Sequence, residues 1–323
     1  LFAAVGVIAG HFDASFVAAL SGRMFGTITN ETLVAVPLFI LMGVTLERAK
    51  IAEELLTAMA SGLGNRTGGL GISVVVVGAL LAASTGIVGA TVVTMGMMSL
   101  PIMLQRGYQP SLATGTIAAT GTLGQIIPPS IALVLLGDVL SNAYQQAQLN
   151  MGIFAPKSVS VGDLFAGALI PGLLLVVLYL LYLMLRAVFS PAAMPERPKT
   201  AAIALSSTLS ALVPPLLLIV AVLGSIIAGY ATPTEAAGVG AIGALILAFA
   251  YGRLTVRTLR ETCAASMSTT AMVFFILIGA SIFSLVFRGF GGDEIVQSAF
   301  NNMPWGMWGA LAIVMLVIFL LCF

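Results

Sequence analysis

The chain lacks the side-chain sets that carry covalent chemistry. It has no Ser/His/Asp arrangement, no HExxH, no carboxylate pair inside an apolar run and no phosphate-cradling glycine loop. The single histidine, His11, leaves no histidine-based metal site. The two cysteines, Cys263 and Cys322, make no disulfide or metal framework and read as small apolar residues. Neutral oxygen is plentiful instead. Ser84, Thr85, Thr91 and Thr94 fall in one long apolar interval, and Thr120, Thr122, Gln125 and Ser130 surround the run Gly121-Thr122-Leu123-Gly124-Gln125-Ile126-Ile127-Pro128-Pro129. A helix interrupted by glycine or proline frees carbonyls that are costly to leave unpaired in hydrocarbon. A monovalent cation can satisfy them, and the start of a resumed helix can hold an anionic group. The alternative is packing, since small residues let helices approach closely. Packing is the better account of an isolated Ser or Thr; two adjacent Gly-rich breaks favour a binding site. Only Glu235, near the start of an apolar run, and Asp138, at the end of one, could act as intramembrane carboxylates, so proton coupling is disfavoured.

The elements that must position these oxygens are membrane helices. Of 323 residues, 59% are hydrophobic and 8% charged, and the mean hydropathy is +1.12. A soluble domain carries about 25% charged residues, so a water-soluble enzyme, a nucleic-acid binder and a disordered scaffold are excluded. Thirteen basic against twelve acidic residues imply no electrostatic partner. The expected class is an all-α polytopic membrane protein. The chain begins at Leu1 in an apolar run without a basic leader region and stops at Phe323 in another, which reads as a fragment cut within spans.

Uncharged intervals at 32–46, 67–105, 107–137, 164–185, 200–234, 236–252, 262–287 and 295–323 can supply spans. The interval 67–105 is too long for one crossing and has a small-residue centre, Ala83-Ser84-Thr85-Gly86-Ile87-Val88-Gly89-Ala90. It is expected to enter the membrane and return as a hairpin. The interval 107–137 is expected to be a discontinuous helix, broken by Gly121, Gly124 and Pro128-Pro129. With a re-entrant hairpin, ten of thirteen basic residues fall on the cytoplasmic side: Arg48, Lys50, Arg66, Arg106, Arg186, Arg197, Lys199, Arg253, Arg257 and Arg260. Arg23, Lys157 and Arg288 stay outside. A single crossing would scatter the clusters across both faces.

Phe39-Ile40-Leu41-Met42-Gly43 recurs as Phe275-Ile276-Leu277-Ile278-Gly279, and on this topology the two copies run in opposite directions. Inverted repeats mark secondary transporters. Residues 1–190 are read as a first repeat, 191–199 as a cytoplasmic linker, and 200–323 as the start of a truncated second repeat. Residues 47–60 and 252–262 are read as amphipathic helices lying along the cytoplasmic surface or as solvated loops, and 141–162 as the longest polar outer loop. Thr234-Glu235-Ala236-Ala237-Gly238 is similar to the docking loop of ATP-driven permeases, but it lies at the outer start of a span, without the Ile-x-Leu-Pro element that should follow.

Taken together, several stretches resemble the large membrane subunit (DctM-like) of tripartite ATP-independent periplasmic (TRAP) transporters. They are Pro37-Leu38-Phe39-Ile40-Leu41-Met42-Gly43 with Leu46-Glu47-Arg48, Arg106-Gly107-Tyr108, Gly121-Thr122-Leu123-Gly124 with Ile127-Pro128-Pro129-Ser130, Asp163-Leu164-Phe165-Ala166-Gly167 with Pro171-Gly172, and Ala231-Thr232-Pro233-Thr234-Glu235-Ala236-Ala237. Their order matches the family from about Leu33 to Phe287.

The resemblance implies an inverted-repeat, elevator-type importer rather than an enzyme: the large permease subunit of a Na+-coupled system in the bacterial inner membrane. A periplasmic substrate-binding protein would deliver small organic acids or related solutes, and a small membrane subunit would support the scaffold. Na+ is the implied coupling ion, with no organic cofactor and no nucleic-acid partner. The implied ion site is Ser84, Thr85, Gly86, Gly89, Gly121, Thr122 and Gly124; the implied substrate residues are Ser84, Thr85, Gln125, Pro128, Pro129 and Ser130. Many members carry Ser-Gly-Ser where this chain has Ser84-Thr85-Gly86. The family's second hairpin and second Pro-Pro break are expected beyond Phe323. A channel or structural membrane protein is the alternative, with an ATP-driven permease behind it.

Overall fold

A computed structural model describes residues 10, 12–13, 15–63, 67–86, 88–194, 205–301 and 306–321. Among them all regular structure is helical: α1 (Ser15–Ile28), α2 (Ala35–Arg48), α3 (Ile51–Leu63), α4 (Gly69–Thr85), α5 (Val88–Gln105), α6 (Pro110–Thr122), α7 (Ile131–Asn150), α8 (Val161–Phe189), α9 (Leu205–Ile227), α10 (Pro233–Ala250), α11 (Val256–Gly289), α12 (Gly292–Asn301) and α13 (Gly306–Leu321). By length and composition α8, α10 and α11 can each cross a membrane, and shorter apolar helices lie at Gly69–Ala83, Thr91–Gln105, Leu212–Ile227 and Gly306–Leu320. In α8 and α10, within Glu31–Ala271, large apolar side chains face outward: Ile170 is 75% exposed, Phe189 79% and Phe249 72%. So much exposed apolar surface is stable only against hydrocarbon. The chain is a multi-pass membrane protein.

Two compact units form, one from Glu31–Ala271 and one from Leu1–Asn30 with Met272–Phe323. In the larger, α4 is the hub and packs against α2, α3, α5, α6, α8 and α9. Its sequence explains this position. It has no polar face, and a helix apolar all round seeks the interior. Val74, Val75, Val77, Leu81 and Ala82 are buried, and the buried hydroxyl of Ser73 donates through Oγ to the Gly69 carbonyl at 2.9 Å. Small residues set the closest approaches. A Cβ at Gly78 would collide with the Thr120 methyl of α6, and one at Gly240 would lie 2.7 Å from Met42 Sδ of α2 and 3.0 Å from Val222 Cγ2 of α9. Where two hydrocarbon surfaces meet in lipid, such contact replaces the hydrophobic drive. In the smaller unit, Phe12 stacks on Phe16 at 4.2 Å and tilts against Phe290 at 4.6 Å.

The discontinuity within 107–137 is present as expected. α6 ends at Thr122, a 3-10 turn covers Leu123–Gln125, and α7 starts at Ile131. Three expectations need correction. Residues 141–150 are not loop but the last turns of α7, because the run Ala143-Tyr144-Gln145-Gln146-Ala147-Gln148 supplies helix formers and i,i+4 bonds, Gln145 Nε2 to Ser141 Oγ and Gln146 Nε2 to Asn150 Oδ1. The loop proper is 151–160, tied back where Gln148 Nε2 donates to the Lys157 carbonyl at 2.9 Å and Lys157 N donates to Gln148 Oε1 at 3.0 Å. Residues 256–262 are not a separate surface helix but the first turns of the 34-residue α11, capped by Thr255, whose Oγ1 accepts from Thr258 N. The amphipathic segment after α2 covers Ile51–Leu63 rather than 47–60, since Lys50 takes a positive φ of 54° and divides it from α2. Its buried side is Ile51, Leu55, Leu56 and Met59, and its Glu54 pairs with Arg253 at 2.7 Å.

Candidate functional site

The helix pair α4 and α5 turns at Gly86, whose φ of +60° is a conformation that L side chains rarely adopt. Gly86 N donates to the Ala82 carbonyl, closing α4. The turn abuts the α6–α7 break: a Cβ on Gly86 would lie 3.4 Å from the Pro129 carbonyl oxygen and 3.5 Å from Ile131 N. One turn earlier, a Cβ on Gly124 would lie 3.4 Å from the Ala82 carbonyl oxygen. Ala82 and Ala83 join Leu123, Ile127 and Ile219 in one buried cluster. On the other side α8 closes in, since a Cβ on Gly172 would sit 3.1 Å from Ile127 Cγ1. The Pro171-Gly172 pair thus lets a long helix lie against the break.

Hydrogen-bond bookkeeping explains why the break is stable. Pro128 and Pro129, joined by a cis peptide, have no N–H to offer the carbonyls of Gly124 and Gln125. Ser130 Oγ replaces one donor, reaching the Gln125 carbonyl at 2.8 Å, and also accepts from Leu133 N as the N-cap of α7. The Gly124 carbonyl gains no such replacement from the prolines. Beside it stand the C-terminal end of α4 and the N-terminal end of α7, and α5 starts two residues beyond Gly86. Carbonyl-rich ends favour a cation and amide-rich ends an anion.

The expected site residues divide accordingly. Gly86, Gly124, Pro128, Pro129 and Ser130 are buried around this junction. Ser84 and Thr85 form the last turn of α4, but their side chains lie outside the described residues. Gln125 is exposed, and its carbonyl is engaged by Ser130. Thr122 is exposed and donates to the Ala119 carbonyl. Gly89 is exposed with open space beside it. Gly121 is buried and closely packed, since a Cβ there would overlap Val92 Cγ2 and approach Val92 Cα to 3.1 Å. Of the other hairpin hydroxyls, Thr94 Oγ1 donates to Glu47 Oε1 at 2.7 Å and so joins α5 to α2.

Two clefts were not foreseen. One, of about 1000 Å³, is lined by Glu31, Asp138, Ser141, Asn142, Tyr230 and Glu235, among others. Glu235 closes a capping box there: its carboxylate accepts from Thr232 N at 2.8 Å while Thr232 Oγ1 accepts from Glu235 N. Glu235 thus has a local capping role within Thr234-Glu235-Ala236-Ala237-Gly238, the stretch similar to a docking loop. The other, of about 280 Å³, lies between α6 and α8 and contains Thr116, Thr120, Tyr179, Tyr182 and Arg186. Helical phase would have shown Tyr179, Tyr182 and Arg186 on one side of α8, but the facing helix is a tertiary fact. In the turn between α5 and α6, Tyr108 Oη accepts from Gly71 N at 3.3 Å, and burial pushes its phenol pKa up.

Residues 1–323 match the family described as tripartite ATP-independent periplasmic transporter, DctM component. The chain is 32% identical over 298 residues to the C4-dicarboxylate TRAP transporter large permease protein DctM of Rhodobacter capsulatus, covering 90% of this chain and 66% of that one. It is 29% identical to the protein of the same description from Pseudomonas aeruginosa (95% and 68%). It is 31% identical to the sialic acid TRAP transporter large permease protein SiaM of Vibrio cholerae (82% and 58%). The chain therefore spans about two thirds of the length of the first two of these relatives. These relatives are transporter permease subunits, not enzymes. The ordered motifs, the hairpin turned at Gly86 against the Pro128-Pro129 break and the match over all 323 residues converge: this chain belongs to the DctM component family of tripartite ATP-independent periplasmic transporters.

Proposed function

We propose that the chain is the larger part of the large permease subunit of a Na+-coupled, binding-protein-dependent importer in the bacterial inner membrane. The observation that carries this reading is the junction itself. A glycine-turned helix pair meets a broken helix with Gly86 against Pro129 and Ile131, and the prolines withhold their donors from the Gly124 and Gln125 carbonyls, of which only Gln125 is served by Ser130 Oγ. Neutral carbonyls of this kind suit sodium, and the start of α7 suits the carboxylate of a small organic acid. Ser84, Thr85, Gly86, Gly121, Thr122 and Gly124, with Gly89, are the proposed ion-site set; Ser84, Thr85, Gln125, Pro128, Pro129 and Ser130 are the proposed solute set. The relatives are described for C4-dicarboxylate and sialic acid, both carboxylates, which supports an organic acid here.

A small membrane subunit and a periplasmic binding protein complete the proposed complex. The hairpin and break would travel together past a fixed scaffold in an elevator movement, and a second inverted copy would supply the other half of the site. The test is solute uptake by the full complex in proteoliposomes. Uptake is expected only with both an inward Na+ gradient and the loaded binding protein. Uptake at equal rate without sodium would overturn the ion assignment, and uptake without the binding protein would overturn the delivery step.

A further inference from the structure

The cleft between α6 and α8 has a guanidinium at one end and nothing described to neutralise it. Arg186 Nε is buried without a hydrogen-bond partner, and the other recorded side-chain bond of Arg186, NH2 to Gln109 Oε1, is stretched to 3.5 Å. No carboxylate among the described residues pairs with it. The rest of the lining carries no charge. Val75, Leu112 and Leu183 are apolar, while Thr116 Oγ1 and Thr120 Oγ1 spend their donors on the Leu112 and Thr116 carbonyls at 2.8 and 2.6 Å. Arg186 is therefore the one cation of the lining, with the Ser111, Tyr179 and Tyr182 hydroxyls as its further polar groups. On the same helix Leu178, Leu181 and Leu185 are exposed, so α8 offers apolar surface next to the residues that line the cleft. Tyr182 of the lining stands half-exposed, the side-chain type that collects at membrane interfaces.

We infer that this cleft binds one anionic phospholipid, with its phosphate held by Arg186 and an acyl chain lying along α6 toward Thr120. A guanidinium fork matches a phosphate in geometry and charge. The cleft as a whole, about 280 Å³, is more than a phosphate fills and leaves room for part of a hydrocarbon chain beside Val75, Leu112 and Leu183. Tyr179 lines the cleft and also packs against the Ala82, Leu123 and Ile127 cluster, so the acyl chain touches the same side chain that braces the break. The inference needs neither sodium coupling nor a particular solute.

The experiment is native mass spectrometry of the full-length permease with its membrane partner, delipidated and titrated with dioleoyl phosphatidylglycerol, dioleoyl phosphatidylcholine or inorganic phosphate. One phosphatidylglycerol is expected to bind in preference to phosphatidylcholine. Arg186→Gln is expected to weaken it about tenfold, or 1.4 kcal/mol, and Arg186→Lys to recover part of the loss. Gly115→Leu gives a second handle: Gly115 lines the cleft with open space beside it, so the leucine fills the chain's path without a clash. It is expected to reduce retention while thermal unfolding stays at or above the parent's. Equal retention by the parent and both Arg186→Gln and Gly115→Leu would overturn the inference. If inorganic phosphate displaces phosphatidylglycerol at equal affinity, the site takes a free anion and the phospholipid assignment falls.

Discussion

Pro128-Pro129 interrupts the chain between α6 and α7, whereas Pro214-Pro215 lies inside the uninterrupted α9. Both pairs remove two amide donors, and both disfavour helical geometry in the residue before each proline. The difference lies in what surrounds them. Pro214-Pro215 is followed by Leu216-Leu217-Leu218-Ile219-Val220, and Pro215, Leu218, Ile219, Val222 and Ile226 form a buried face against α3 and α10. That face holds the helix despite the lost bonds. Pro128-Pro129 is preceded by two glycines, and its non-helical path is held by the Ser130 hydroxyl, by Gly86 of the hairpin and by Gly172 of α8. A proline pair permits a break; tertiary contacts decide whether one forms.

The largest effect should come from exchanging prolines between these contexts. Pro128→Ala favours a continuous helix by about 3 kcal/mol and should lower uptake about tenfold or more while membrane insertion is unchanged. Pro214→Ala should leave uptake near the parent rate, and equal losses at both positions would break the comparison. Gly121→Ala follows: its Cβ has no room against Val92, which should cost about 1–3 kcal/mol in thermal unfolding of the purified protein. Gly124→Ala, whose Cβ would only touch Ala82, should cost clearly less, separating packing glycine from break glycine. Gly86→Ala places a side chain at positive φ, a strain of about 1–2 kcal/mol, so it should unfold earlier and lose uptake together. Ser130→Ala removes the cap and the donor to Gln125 and should cost about 1 kcal/mol, read as a lower unfolding temperature. Gly89→Ala should be smallest, because open space surrounds it. A fall in uptake at unchanged stability would then assign Gly89 to ligand contact.

Much of this arrangement was legible in the residues. The scarcity of charge marked the membrane class, the small-residue centre 83–90 marked the region of the turn, and Gly121, Gly124 and Pro128-Pro129 marked the interruption, each through a local rule of hydropathy or backbone geometry. Helix ends were less legible. Polar and charged residues suggested stops at 137 and 262, yet α7 runs to Asn150 and α11 starts at Val256, because Gln148 and Thr255 find hydrogen bonds that no hydropathy pattern records. The two unforeseen clefts belong to the same class, since Arg186 is one more basic residue until α6 lies opposite it.

By itself the sequence determined that this is a helical membrane protein with a turned helix pair over 67–105 and a broken helix over 107–137. Those properties depend on hydrophobic transfer, on proline's missing N–H and on glycine's freedom at positive φ, all of which act within a few residues. Only the tertiary structure decided that Gly121 packs against Val92 while Gly86 meets Pro129, that Thr94 is bonded to Glu47, and that one proline pair breaks its helix while the other does not. These are outcomes of which helix lies beside which, and close packing between segments distant in sequence leaves no signal in either segment alone.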